Sequence, residues 1–119
     1  MERHKPLGRK AYGSIPHLPC SRMGPGDWSI HAGQAAILTD RVRDRHDRII
    51  VTEKLDGSCC SVACIQGQVV ALTRAGYLAT SSPYEQHHPF AAWVERRRSL
   101  FARMLSDGER VGGEWLLQA

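Results

Sequence analysis

Residues 61–65 and 69–74 are two β-rich apolar runs separated only by Gln66-Gly67-Gln68. That pattern constrains the chain more than any other, because a glycine-centred connection this short predicts an antiparallel hairpin. A hairpin alone is barely stable in water and needs a layer packed on its face. Residues 88–105 supply one: Phe90, Trp93, Val94, Phe101, Met104 and Leu105 recur at helical spacings, and Asp107-Gly108 stops the pattern. Residues 109–117 read as a further strand. Residues 48–54 are β-branched and bounded by charge, so they also read as a strand, interrupted by Leu55-Asp56-Gly57-Ser58. The expected class is α+β, with mostly antiparallel strands and flanking helices.

The amino-terminal region is different in kind. Residues 1–27 hold Pro6, Gly8, Gly13, Pro16, Pro19, Gly24, Pro25 and Gly26, and read as an extended arm with short strand pieces near residues 12–15. Asp27 is placed to cap a helix running through Leu38, with Trp28, Ala32, Ala35 and Leu38 on one face. Charges alternate in sign along residues 40–48, as in a solvated turn, with an RNA-contacting patch as the other reading. Arg96-Arg97-Arg98 in the long helix reads either as a solvated face or as a phosphate-facing patch.

At 119 residues, 42% hydrophobic and 24% charged, the chain supports one small domain and is too apolar for a disordered tail. No apolar run is long enough to span a membrane, and residues 1–10 lack the apolar stretch of a secretory signal, so a cytoplasmic location is expected. Cys20, Cys59, Cys60 and Cys64 fit no zinc spacing and read as reduced thiols. His46, His87 and His88 lack companions for a metal site, and Asp107-Gly108-Glu109 lacks the other oxygens of a calcium loop. The net charge of +4 suits a nucleic-acid partner without selecting one.

The basic residues are thirteen Arg and only three Lys: Lys5, Lys10 and Lys54. Lys54 ends an apolar strand pattern and is followed by Leu55-Asp56-Gly57, an unusual place for a lysine without a task. A fitting task is nucleophilic attack, for which an apolar or cationic setting helps an amine shed its proton. Gly57 would allow the backbone to approach a phosphate or turn sharply. The competing reading is a lysine that shields a sheet edge before an ordinary Asp-Gly turn.

The segment Glu53-Lys54-Leu55-Asp56-Gly57-Ser58 resembles the Lys-x-Asp-Gly nucleophile motif of covalent nucleotidyltransferases, the polynucleotide ligases and mRNA capping enzymes. Leu72-Thr73-Arg74-Ala75-Gly76-Tyr77 is similar to the second nucleotide-binding motif of that superfamily, and Gly113-Glu114-Trp115-Leu116 to the third. The arm sequence Tyr12-Gly13-Ser14-Ile15-Pro16-His17-Leu18-Pro19, with Ser21-Arg22, resembles the opening of bacterial and phage ATP-dependent RNA ligases. The resemblance runs over residues 11–117. It implies the amino-terminal part, residues 1–119, of a partial nucleotidyltransferase (ATP-grasp-like) domain.

By that resemblance Lys54 would attack ATP, with Mg2+, to give lysyl-AMP. The adenylate would pass to an RNA 5′-phosphate, and a 3′-hydroxyl would displace it, as in end joining or nick sealing for RNA repair. Arg74 would hold nucleotide or RNA phosphate, Glu114 the ribose hydroxyls, and Glu53 would lie beside the adenine. Asp56 and Gly57 would shape the turn below the nucleotide. No metal-ligating residue is assigned.

Two departures stand out. Cys59 occupies a position where these RNA ligases usually carry Asn, and a thiol is a weak donor. The glutamate-glycine and Lys-x-Lys motifs that follow in the superfamily are missing: no lysine follows Lys54 and the sequence stops five residues after Glu114. A separately encoded carboxy-terminal half is therefore an expected partner. The alternatives are a catalytically inactive RNA-binding remnant, or a DNA ligase or capping guanylyltransferase of the same superfamily.

Overall fold

A computed structural model describes residues 3–117. The chain divides into two compact units, Met1–Gly13 with Leu55–Ala119, and Ser14–Lys54.

In the larger unit, β1 (Ser58–Ile65) is flanked on both sides by antiparallel partners, β2 (Gln68–Thr73) and β3 (Arg110–Trp115), in the order β2-β1-β3. The expected hairpin forms: Ile65 pairs with Gln68, leaving Gln66 and Gly67 as its turn, at φ 50° and 78°. Positive φ at both positions gives the hand of turn that matches strand twist. The Asp107 carboxylate accepts the Gln66 N–H, and Gly108 N–H donates to the Cys64 carbonyl at 2.7 Å, so the start of β3 is tied to the hairpin tip.

Strand alternation gives the sheet two apolar faces. Cys60, Val62 and Val69 pack with Phe90, Val94 and Phe101 of the helices. Ala63 and Leu72 pack with Ala11, Leu7 and Leu78 on the other face. The α+β class is as expected, but residues 88–105 form two helices, α2 (His87–Arg96) and α3 (Arg98–Met104). The break falls at Arg97 (φ −116°, ψ 19°), whose guanidinium lies 4.6 Å from the Trp93 ring centre and donates to the Trp93 carbonyl at 3.3 Å. Arg98 pairs with Glu95 at 2.6 Å. Arg97 and Arg98 are thus both engaged by residues of α2.

The smaller unit corrects two expectations. Its helix, here α1 (Ala32–Thr39), starts four residues later than Asp27 would place it. The Asp27 carboxylate instead accepts the Gly24 N–H at 2.8 Å in a turn, while His31 Nδ1 caps the helix by accepting the Gly33 N–H at 3.0 Å. Residues 12–15 and 48–54 carry no strand. Ile50 and Val51 are 81% and 89% exposed. β-branched composition becomes a strand only where a ladder partner satisfies the backbone, and propensity without one is not enough. Residues 40–48 form the expected polar turn, with Asp44 accepting the His46 N–H at 2.8 Å and Arg43 beside Asp47 at 3.8 Å. Among the described residues, no helix is long and apolar enough to cross a membrane.

Candidate active site

Within the larger unit, residues 55–58, 72–77 and 113–116 lie at one end of the β1-centred sheet. Cys59 on β1 is directly opposite Glu114 on β3, so their side chains share a face. Glu114 then reaches past the strand end: its Oε2 accepts the Gly57 N–H at 3.0 Å. Gly57 sits tight against β3, where a Cβ would run into the Trp115 carbonyl oxygen. Glycine is required there by space rather than by φ. The turn that carries Asp56 and Gly57 is therefore locked to the strand that carries Glu114 by a close backbone contact and a charge-assisted hydrogen bond.

Arg74 follows β2 directly, in the turn that ends at Gly76. The Arg74 carbonyl accepts N–H groups from Ala11 and Tyr12, at 3.1 and 3.4 Å, and Gly76 N–H donates to the Thr73 carbonyl at 3.0 Å. Gly76 combines φ 97° with an approach to the Arg9 carbonyl that leaves no room for a Cβ. The arm thus braces the loop that presents Arg74, whose side chain is exposed.

The electrostatics tie these residues together. The Cys59 thiol is pushed above its usual range by burial first and by the Glu114 carboxylate second, and Arg74 pulls it the other way. Buried Cys60, one residue on and facing the helices, is pushed up to about 12, by burial and then by Cys59 and Glu114. Both cysteines remain neutral thiols at neutral pH, consistent with reduced, strand-borne residues; the described cysteines are all free. Gly57, Cys59, Arg74 and Glu114 therefore form one polar cluster. Asp56 is exposed at its margin in sequence. Glu53 and Lys54 are exposed and belong to the unit of Ser14–Lys54, immediately before Leu55 in the chain.

Two features of this end of the sheet carried no clear signal in the sequence. The Tyr12 ring packs on Gly112 of β3, where a Cβ would stand 3.3 Å from Cδ2, so Gly112 admits the arm two residues before Glu114. On the helix side, Phe90, Trp93, Phe101 and Trp115 make an aromatic cluster with ring centres 5.4–6.3 Å apart. A cavity of about 410 Å³ opens there and includes Glu114 in its lining. Trp115 Nε1 and Ser61 Oγ are buried without a protein hydrogen-bond partner.

Chemically the cluster offers a carboxylate with lone pairs beyond those used on Gly57, an exposed guanidinium suited to phosphate, and a glycine turn three residues after a lysine. Among the described residues, no group of three or more His, Cys, Asp or Glu is placed to hold a metal ion.

A protein-family model described as RNA ligase matches residues 47–119. That span contains all three motif segments and leaves the arm, residues 12–22, outside it. No curated protein and no solved structure matches the chain.

Proposed function

Because this chain belongs to the RNA ligase family, we propose that residues 1–119 are the amino-terminal part of an adenylyltransferase domain that joins RNA ends using ATP. The observation that carries this reading is the Glu114–Gly57 hydrogen bond, with Cys59 opposite Glu114 and Arg74 one residue beyond the Cys60–Thr73 pair. It ties the turn after Lys54 to the strand of the third motif, with the arginine of the second motif alongside.

In this reading the Lys54 amine attacks the α-phosphorus of ATP. A P–N bond forms, the bond to the bridging oxygen breaks, and pyrophosphate leaves. An oxygen of the RNA 5′-phosphate then attacks the same phosphorus and releases the lysine. Finally a 3′-hydroxyl attacks the RNA phosphate, and AMP leaves as the phosphodiester forms. Arg74 balances phosphate charge, because a planar guanidinium can grip two oxygens at once. Glu114 receives ribose hydroxyls on the lone pairs that Gly57 leaves open, Glu53 lies beside the adenine, and Asp56 and Gly57 hold the turn. Positioned cations are the main catalytic resource in phosphoryl transfer. Lys54 and Arg74 are the cations that the motif segments themselves bring to the phosphates. The described residues do not fit a resident metal ion; Mg2+ would enter on the phosphates of ATP, as it commonly does, and no step is assigned to it. The reaction belongs in the cytoplasm, where ATP and RNA ends meet.

The test is incubation with α-labelled ATP and Mg2+, with and without a supplied carboxy-terminal half. Acid-labile label should appear on the wild type and vanish in Lys54→Ala. Failure to label under both conditions would leave the inactive RNA-binding reading, which Cys59 in place of the usual Asn favours. Labelling from GTP alone would move the chain to the capping enzymes.

A further inference from the structure

A basic and aromatic patch lies on the larger unit, around Tyr77. The Arg3 guanidinium carbon is 4.0 Å from the centre of the Tyr77 ring, and Lys5 Nζ is 4.9 Å from the same centre. Tyr77 is held by its backbone, its carbonyl accepting the Thr73 N–H at 2.9 Å at the end of β2. The first turn of α2 is tied to Ser82, which precedes it. His88 Nε2 donates to the Ser82 carbonyl at 2.8 Å, and His87 Nδ1 meets Ser82 Oγ at 2.6 Å. Protonation of His87 is disfavoured by burial first, then by His88 and Arg3.

The arm then carries its charge towards Arg74. Arg9 and Lys10 follow, the Arg9 carbonyl packs under Gly76, and the Ala11 N–H binds the Arg74 carbonyl. No acidic residue occurs in residues 3–11, and two of the chain's three lysines do. Like charges gathered along one backbone repel one another, and an anion lying along them relieves that repulsion. Cations that follow a phosphate backbone are the sequence-tolerant part of single-strand binding, and the Tyr77 ring holds two of them in place here.

We propose that Arg3, Lys5 and Tyr77, continued by Arg9 and Lys10, form a platform that grips single-stranded RNA beyond its joining end. This rests on the RNA-ligase reading and adds to it a second contact region, whose contribution is electrostatic rather than catalytic, with Tyr77 holding the two cations. Arg3 and Lys5 each neutralise one phosphate.

The experiment measures binding of a 5′-phosphorylated oligouridylate of about twelve nucleotides across a salt series. Each phosphate neutralised on a single strand adds about 0.7 to the slope of log affinity against log salt, so R3Q/K5Q should lower the slope by about 1.4. The charge-conserving R3K/K5R should keep the wild-type slope, and Tyr77→Leu, which releases both cations from the ring, should weaken binding at low salt. An unchanged slope in R3Q/K5Q overturns the platform. So does an equal loss in R3K/K5R, which would make the arm's geometry, not its charge, the cause. Wild-type protein that does not bind the oligomer overturns it as well. Adenylate formation on Lys54 from ATP, scored on the same wild-type preparation without RNA, reports separately on the ligase reading.

Discussion

The Gly57 amide donates to the Glu114 carboxylate at 3.0 Å across 57 positions of sequence. One side chain thus has a structural partner on the turn after Lys54 and lone pairs left for a ligand. The two roles separate by substitution. Glu114→Ala removes the acceptor and should lower stability by about 1 kcal/mol, the usual net worth of an exposed hydrogen bond. Glu114→Gln keeps an oxygen for Gly57 and should lose less than about 0.5 kcal/mol. Both should depress adenylate formation about tenfold or more, since the charge-assisted hold on ribose is gone. Urea midpoints and label yield on the two variants check this. A Glu114→Gln protein that labels as well as wild type would remove Glu114 from nucleotide binding.

Glycine is needed at one position of this junction and not at its neighbour. A Cβ on Gly57 meets the Trp115 carbonyl, whereas one on Gly113 meets nothing within 4 Å. Gly57→Ala must push β3 away from the turn and should destabilise by about 2 kcal/mol, as overpacking does. Gly113→Ala should stay within about 0.5 kcal/mol of wild type and can gain slightly, because it restricts the unfolded chain. Denaturant midpoints at constant m-value give the comparison. Equal effects would mean that the close approach at Gly57 is not what holds the junction.

The parts of this fold that were legible in the sequence are those fixed by local chemistry. Gln66-Gly67 sets the hairpin register through two positive φ values. The apolar spacing of Phe90, Val94 and Phe101 marks the face that the helices bury. What stayed hidden depends on distant partners. β1 begins at Ser58 rather than at residue 61 because Ser58, Cys59 and Cys60 pair with β3, some 55 positions on. Ile50 and Val51 have strand composition and no ladder. Arg97 breaks a helix with neither glycine nor proline to announce it; its contacts to Trp93 go with the break. In the site, motif order pointed to Arg74 and Glu114, but the register that sets Cys59 against Glu114 had no local signal.

Acid should loosen the start of α2. His87 has its pKa lowered by burial first, then by His88 and Arg3. A histidine depressed in the folded state binds fewer protons there than in the unfolded chain. Its contribution is complete above the ordinary value of 6.5 and is lost as pH falls through the lower folded value. Wild-type stability should therefore drop as pH falls below 6.5, and His87→Gln should flatten that limb. Urea denaturation at a series of pH values tests the sign. A limb that steepens in His87→Gln would contradict it.

The Cys59 thiol provides a readout of the site that needs neither nucleotide nor RNA. Glu114 raises its pKa and Arg74 lowers it, after the larger effect of burial. The thiolate is the reactive form, so alkylation rate follows these charges. Glu114→Gln should speed iodoacetamide labelling of Cys59 at pH 8, and Arg74→Gln should slow it. Cys60, buried and pushed up to about 12, should label only on unfolding in either variant, while exposed Cys20 should label at the same rate throughout. Mass mapping of the alkylated peptides separates the three. If Glu114→Gln and Arg74→Gln move the Cys59 rate in the same direction, the opposed charges placed around that thiol are wrong. The shared cluster of Arg74 and Glu114 then fails with them.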